Sequence, residues 1–199
     1  MTYRPVTDVC LMARPKVPYY GAFPNGSLER MRLPLGALID DPILFVCSGR
    51  VRDYPCRGFG PNDKTVDINA KLKPDYVMDV RHQLPSFHRG LEHGWRAMIV
   101  DTPYSREEAK RYGTEDQYPE PDSLLKLCLE HTRTGGRVGV LHWYWPRPPR
   151  VVHGCAIKEV FAMPLTTCRG SRWRGYVVFE KVVPQHSALS TQHSRGARR

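Results

Sequence analysis

From Pro42 onward the chain carries short apolar runs with polar ends, a spacing that predicts strands joined by helix-length connections. Ile43–Cys47 is a compact apolar run that stops at Ser48-Gly49. Thr65–Ile68 is a second, with Asp67 near its end, and Tyr76–Val80 a third, with Asp79 beside its last residue. Ala97–Val100 is a fourth and runs directly into Asp101. A loop over Ser105–Pro121, rich in charge and tyrosine, precedes a helix of about twelve residues starting near Asp122. Asp122 or Ser123 is its expected cap, Leu124, Leu125, Leu127, Cys128 and Leu129 its apolar face, and Gly135-Gly136 its stop. Arg137–Trp143 then reads as a fifth strand. Two more follow around Cys155–Met163 and Gly175–Val183, with Pro164–Arg174 as a polar, basic hairpin loop between them.

The flanks lack this pattern. Residues 1–26, rich in Pro, Tyr and Gly, read as an irregular arm, and Ser27 can cap a short helix through Arg32 that Pro34 closes. Residues 184–199 read as a disordered basic tail. The expected organisation is an N-terminal arm over 1–42, one α/β domain over 43–183 and the tail.

Strands alternating with helix-length connections imply a mostly parallel sheet with helices on its faces, ending here in an antiparallel C-terminal hairpin. In such sheets ligands bind outside the carboxyl ends of the strands, where strand order reverses. Ser48-Gly49, Asp67, Asp79 and Asp101 all fall at those ends. The connector Pro146–Val152 is too short for a crossover helix, which leaves the direction of the sixth strand open.

A length of 199 residues suits one domain with a sizeable core, and 41% hydrophobic with 25% charged residues suits an ordinary globular protein. The apolar runs are too short to cross a bilayer, and the N-terminus has no continuous apolar stretch, so a cytoplasmic protein is expected. The six cysteines are scattered without a Cys-x-x-Cys pair, and His82, His88 and His93 lack i, i+4 spacing, so no metal site is expected. Charge is segregated. Residues 1–130 hold 18 Lys/Arg against 18 Asp/Glu, while residues 131–199 hold 12 against 2 and so carry the whole net charge of +10. Such one-sidedness points to a polyanion partner, with a solubilising surface as the plainer alternative.

Taken together, these residues resemble the class I S-adenosylmethionine-dependent amino-methyltransferases of DNA and some RNA, closest to phage or prophage adenine methyltransferase-like proteins. Phe45-Val46-Cys47-Ser48-Gly49 resembles the Phe-x-Gly-x-Gly cofactor loop, with Cys47 in place of the first glycine. The resemblance implies that Asp67, followed by Ile68, holds the cofactor ribose, and that Asp79, followed by Val80, lies near the cofactor adenine. Asp101-Thr102-Pro103-Tyr104 resembles the Asp/Asn-Pro-Pro-Tyr catalytic motif, with Thr102 in place of a proline. The Tyr19–Gly26 stretch resembles the Tyr-Gly segment that precedes the cofactor loop, or else is an irregular packing arm.

The motif has a chemical rationale. The lone pair of an adenine N6 or cytosine N4 amine is delocalised into the ring, which makes the amine a poor nucleophile. Asp101 and the Thr102 carbonyl can each accept a hydrogen bond from it, turning its lone pair toward the methyl donor, while Pro103 stiffens the loop and Tyr104 stacks on an extruded base. Trp143 or Trp145 is a candidate second wall for that base, with core packing as the alternative. Arg169, Arg172 and Arg174 are candidates to grip phosphates if the sixth strand runs parallel to the others.

The implied activity is methyl transfer to an exocyclic base amine, adenine N6 in DNA first, with an RNA base methyltransferase or an inactive nucleic-acid-binding relative as alternatives. Only 52 positions separate Gly49 from Asp101, too few for an inserted recognition domain, so a specificity partner or a homodimer enters the expectation.

Overall fold

The apolar runs assemble into one large sheet with helices on both faces. A computed structural model describes residues 10–12, 16–18, 22–55, 57–89, 92–167 and 173–184. In chain order its strands are β1 (Cys10–Met12), β2 (Leu44–Val46), β3 (Lys64–Asp67), β4 (Tyr76–Val77), β5 (His88–Arg89), β6 (Glu92–His93), β7 (Trp95–Val100), β8 (Thr132–His142), β9 (Val151–Val152), β10 (Cys155–Thr167) and β11 (Arg174–Val182). The helices are α1 (Ser27–Leu35), α2 (Arg106–Lys110) and α3 (Pro121–Glu130). The main sheet has the order β1-β10-β11-β8-β7-β2-β3-β4, with β9 added beside β10, and β5 and β6 form a separate hairpin. Among the described residues no helix is long and apolar enough to cross a membrane.

Strands β4, β3, β2, β7 and β8 are mutually parallel, and β11 runs antiparallel to both β8 and β10. Strand β10 therefore points the same way as β8, which settles the direction that the sequence left open. The expected helix-free connection is correct in kind. Residues 143–154 pass from β8 to β10 without a helix, using β9 and the buried Val152 to cover the α3 side of the sheet.

Two apolar clusters separate on the sheet's faces by the period-2 alternation of the strands. On one face α1 sets Leu28, Met31 and Leu35 against Phe45, Ala97, Ile99, Leu141, Tyr176 and Val178. On the other, α3 sets Leu124, Leu125, Cys128 and Leu129 against Leu44, Met98, Val100, Val138, Val140 and Phe179. Gly139 is required at the centre of β8, because a Cβ there would lie 2.1 Å from the Tyr176 hydroxyl. That hydroxyl crosses the strand to donate to the Met31 carbonyl at 3.0 Å, tying α1 to the sheet.

Several local expectations are corrected. Pro34 does not close α1 at Arg32; it sits in the last turn, and the helix ends on Gly36 in a left-handed conformation. Helix α3 begins at Pro121, so neither Asp122 nor Ser123 caps it, and the Asp122 carboxylate instead accepts from the Arg147 amide at 3.0 Å. Gly135-Gly136 does not stop the helix, which ends at Glu130. The pair lies inside β8, where the register against β7 shifts between Trp95 and Ala97 and Gly135 takes φ 75°. The Ser105–Pro121 loop is not irregular throughout, because it contains α2. The residues beyond 184, and Tyr19–Gly21 of the arm, lie outside the described residues.

Candidate active site

Strand order reverses between β2 and β7, and the carboxyl ends of β2, β3 and β7 open there into a cavity of about 580 Å³. Cys47, Ser48, Gly49, Asp67, Ile68, Asp79, Val80 and all of Asp101-Thr102-Pro103-Tyr104 line it. The polar strand ends picked out by sequence thus converge on one site.

The β2–β3 side is built around Asp67. Its Oδ2 accepts from the Gly49 amide at 2.8 Å and its Oδ1 from the Asn69 amide at 2.9 Å, so the carboxylate joins the two turns. Cys47 holds φ 56°, the left-handed region that glycine occupies without cost and other residues at about 1–2 kcal/mol. Burial, then the neighbouring carboxylate of Asp67, pushes its thiol well above the ordinary range, so it is a neutral packing group. Asp79 reaches the cavity from a turn beyond the two-residue β4, not from the strand itself. Its carboxylate is gripped by Arg81, with contacts of 3.0 Å and 3.1 Å from Nε and 2.7 Å from a terminal nitrogen, and that hydrogen bonding holds it below the usual range. Arg81 also donates to the Asp116 carbonyl at 2.7 Å and so pins the loop after α2 to this acid.

The β7 side carries the tetrapeptide. Asp101 follows the last residue of β7, and its amide donates to the Val46 carbonyl at 3.2 Å, which continues the β7–β2 ladder. Burial raises the Asp101 carboxyl to about 6, against the lowering effects of Arg174 and of the Tyr104 hydroxyl, which donates to Oδ1 at 3.4 Å. Tyr104 is itself held protonated by burial. The Arg174 guanidinium stands over its ring at 4.9 Å, and His142 meets it edge-on at 5.3 Å. Burial lowers His142 to about 4, so it is neutral, and its Nδ1 accepts from the Tyr144 amide at 3.3 Å. The Thr102 and Ser48 hydroxyls are buried without a hydrogen-bond partner.

Several residues of this site were missed by sequence reading. Ser105 caps α2 by accepting from the Glu108 amide at 3.1 Å, and the Glu108 carboxylate reaches back to the Tyr104 amide at 3.0 Å. This Ser-x-x-Glu spacing is a capping-box signal and was legible in the sequence. The helix that it starts brings Glu108, Arg111 and Tyr112 to the cavity, and Gln117 and Pro119 follow.

Other expected residues stand elsewhere. Phe45 is a core residue on the α1 face, packed on Phe59 at 5.3 Å, because its position in β2 points away from the cavity. Neither Trp143 nor Trp145 lines the cavity. Trp143 is exposed, and Trp145 lies against Gly175 with its Nε1 donating to Glu159 at 3.0 Å. Arg174 does line the cavity, while Arg169 and Arg172 lie outside the described residues.

No protein-family model matches the chain, and no curated protein matches it. Solved structures do. TrmN from Thermus thermophilus aligns with a TM-score of 0.52 and 15% identity over 82% of this chain. The fold is a Rossmann-like methyltransferase fold. The chain spans half the length of that TrmN chain. An rRNA methylase from Streptococcus thermophilus aligns at 13% identity and TM-score 0.43 over 81% of this chain and 99% of its own. In this methyltransferase fold the tetrapeptide follows the strand on one side of the reversal point, and the cysteine-containing loop follows the strand on the other.

Proposed function

We propose that the chain is an S-adenosylmethionine-dependent methyltransferase acting on an exocyclic amine of a base in nucleic acid. The observation that carries this reading is the convergence of Asp67 and Asp101-Thr102-Pro103-Tyr104 on one cavity at the reversal point of a methyltransferase fold. The cavity is of a size that suits a cofactor together with a base. Its fit to the cofactor rests on a carboxylate, Asp67, suited to a ribose diol, and on the buried Ser48 and Thr102 hydroxyls, which a polar ligand can satisfy.

S-adenosylmethionine would supply the electrophilic methyl group. The residues of this chain position the amine. Asp101 accepts a hydrogen bond from it, the Thr102 carbonyl accepts the second, and Pro103 limits the freedom of both. A carboxyl group near 6 is ionised at neutral pH and can take the proton that the methylated amine sheds. Arg174 lies on one face of the Tyr104 ring, so a base stacks on the other face or displaces the guanidinium.

The sequence resemblance favours N6 of adenine in DNA. A second reading, a base in RNA, is favoured by the exposed tryptophans beside the site. Incubating the protein and S-adenosylmethionine with duplex DNA and separately with structured RNA, followed by nucleoside mass spectrometry, tests both. N6-methyladenine or N4-methylcytosine in the nucleosides of either polymer supports the chemistry, and no methylated base amine in both refutes it.

A further inference from the structure

Tryptophan is among the most buried residue types on average, and Trp95, sealed in the core, follows that rule. The protein's other three tryptophans do not. Trp143 is 61% exposed, Trp145 44% and Trp173 62%. Two of these three lie close together in the fold. Trp143 directly follows β8 and Trp173 directly precedes β11, and His142 pairs with Gly175, so the two leave adjacent strands at the same end of the sheet. That end, the carboxyl end of β8, is the one onto which the cavity opens. A run of aromatic contacts connects Trp143 to it: Tyr104 with His142 at 5.3 Å, His142 with Tyr144 at 4.4 Å, and Tyr144 with Trp143 at 6.2 Å. Arg174, between Trp173 and the cavity, supplies positive charge on the same rim.

We infer that Trp143 and Trp173 form a stacking platform outside the cavity for unpaired bases of a single-stranded RNA segment flanking the reacting base. The inference rests on the nucleic-acid reading above and adds a partner to it. Protruding indole rings offer flat faces to bases that are already unstacked, whereas the bases of an intact duplex present only their edges. Unpaired bases are the ordinary state of RNA loops, which favours RNA over duplex DNA. Both tryptophans lie in the last third of the chain, which carries the whole net charge of +10, and Arg174 of that third stands on the rim.

The test titrates the full chain with a labelled single-stranded oligoribonucleotide, its DNA counterpart, and the DNA duplex of the same sequence. Proteins compared are wild type, Trp143→Ala/Trp173→Ala, Trp143→Phe/Trp173→Phe, and Leu38→Ala, an exposed apolar residue in the connection that leads from α1 into the start of β2. Calorimetric binding of S-adenosylmethionine checks that each variant remains folded. The expected result is tightest binding of the RNA strand, weakened about tenfold or more by the double alanine change and largely kept by phenylalanine. Leu38→Ala is expected to bind as wild type. Wild-type affinity in the double alanine variant, or a preference for duplex, would overturn the platform, and equal binding of the DNA strand would overturn the choice of RNA. If wild type binds none of the three, the nucleic-acid reading itself falls.

Discussion

The backbone amide of Tyr104 donates to the Glu108 carboxylate at 3.0 Å, so the last residue of the tetrapeptide is held by the helix that follows it. Helix α2 has Ser105 as its cap, and Glu108 reaches one residue further back than a capping box usually does. The buried carboxylate thus fixes where the loop ends and the helix begins.

Glu108→Ala removes that acceptor and leaves the Tyr104 amide unpaired. A stability loss of about 1–3 kcal/mol is expected, together with a fall in kcat that exceeds any change in KM for the cofactor. Glu108→Gln, which keeps an oxygen in place, should recover part of both. Wild-type kcat in the alanine variant would show that the helix does not position the loop.

Asp101→Asn is expected to abolish transfer while raising stability at pH 7. The folded carboxyl, near 6, lies above its unfolded value, so between about pH 4 and pH 6 the folded chain keeps a proton that the unfolded chain has lost. Stability therefore falls as pH rises through that window, and its full cost, on the order of 1–3 kcal/mol, is present above it. Wild-type activity should fall as pH drops through about 6, when Asp101 loses its charge. Denaturant curves at pH 4.5 and 7.5, compared between the two proteins, check the sign. Robust transfer by the Asn or Ala variant would remove Asp101 from the reaction.

Asp67→Ala should weaken S-adenosylmethionine by an order of magnitude or more, since a charge-assisted acceptor is lost and the Gly49 and Asn69 amides lose their common partner. Calorimetry gives the answer directly. Unchanged affinity would mean that the carboxylate serves the turns alone.

At position 47, Gly should be more stable than Ala by about 1 kcal/mol, the reverse of the usual order, because φ there is 56°. Thermal melts of Cys47→Gly and Cys47→Ala measure the difference. An alanine variant that melts higher would refute the left-handed conformation.

Much of this site was legible in the chain because carboxylates that end apolar runs are conspicuous. Asp67 and Asp101 each break such a run, and parallel strands bring their ends together. The direction of β10 was not legible, since a strand's direction is set by the neighbours it pairs with rather than by its own pattern. Phe45 was assigned to the site by the resemblance of its segment to a cofactor loop, and Trp145 as an aromatic following the fifth strand, yet the strand period sends Phe45 to the opposite face and the helix-free connector carries Trp145 away. The Ser105–Glu108 signal was present, but the charge of the surrounding loop obscured it.

The two amides that hold Asp67 also bear on how fast a ligand can be captured. A carboxylate clamped from both sides has little rotational freedom left to surrender, so the entropic toll of recognition is met during folding rather than on encounter. Arg81 does the same for the rim, since by holding Asp79 and the Asp116 carbonyl at once it joins the turn after β4 to the segment that brings Gln117 to the cavity.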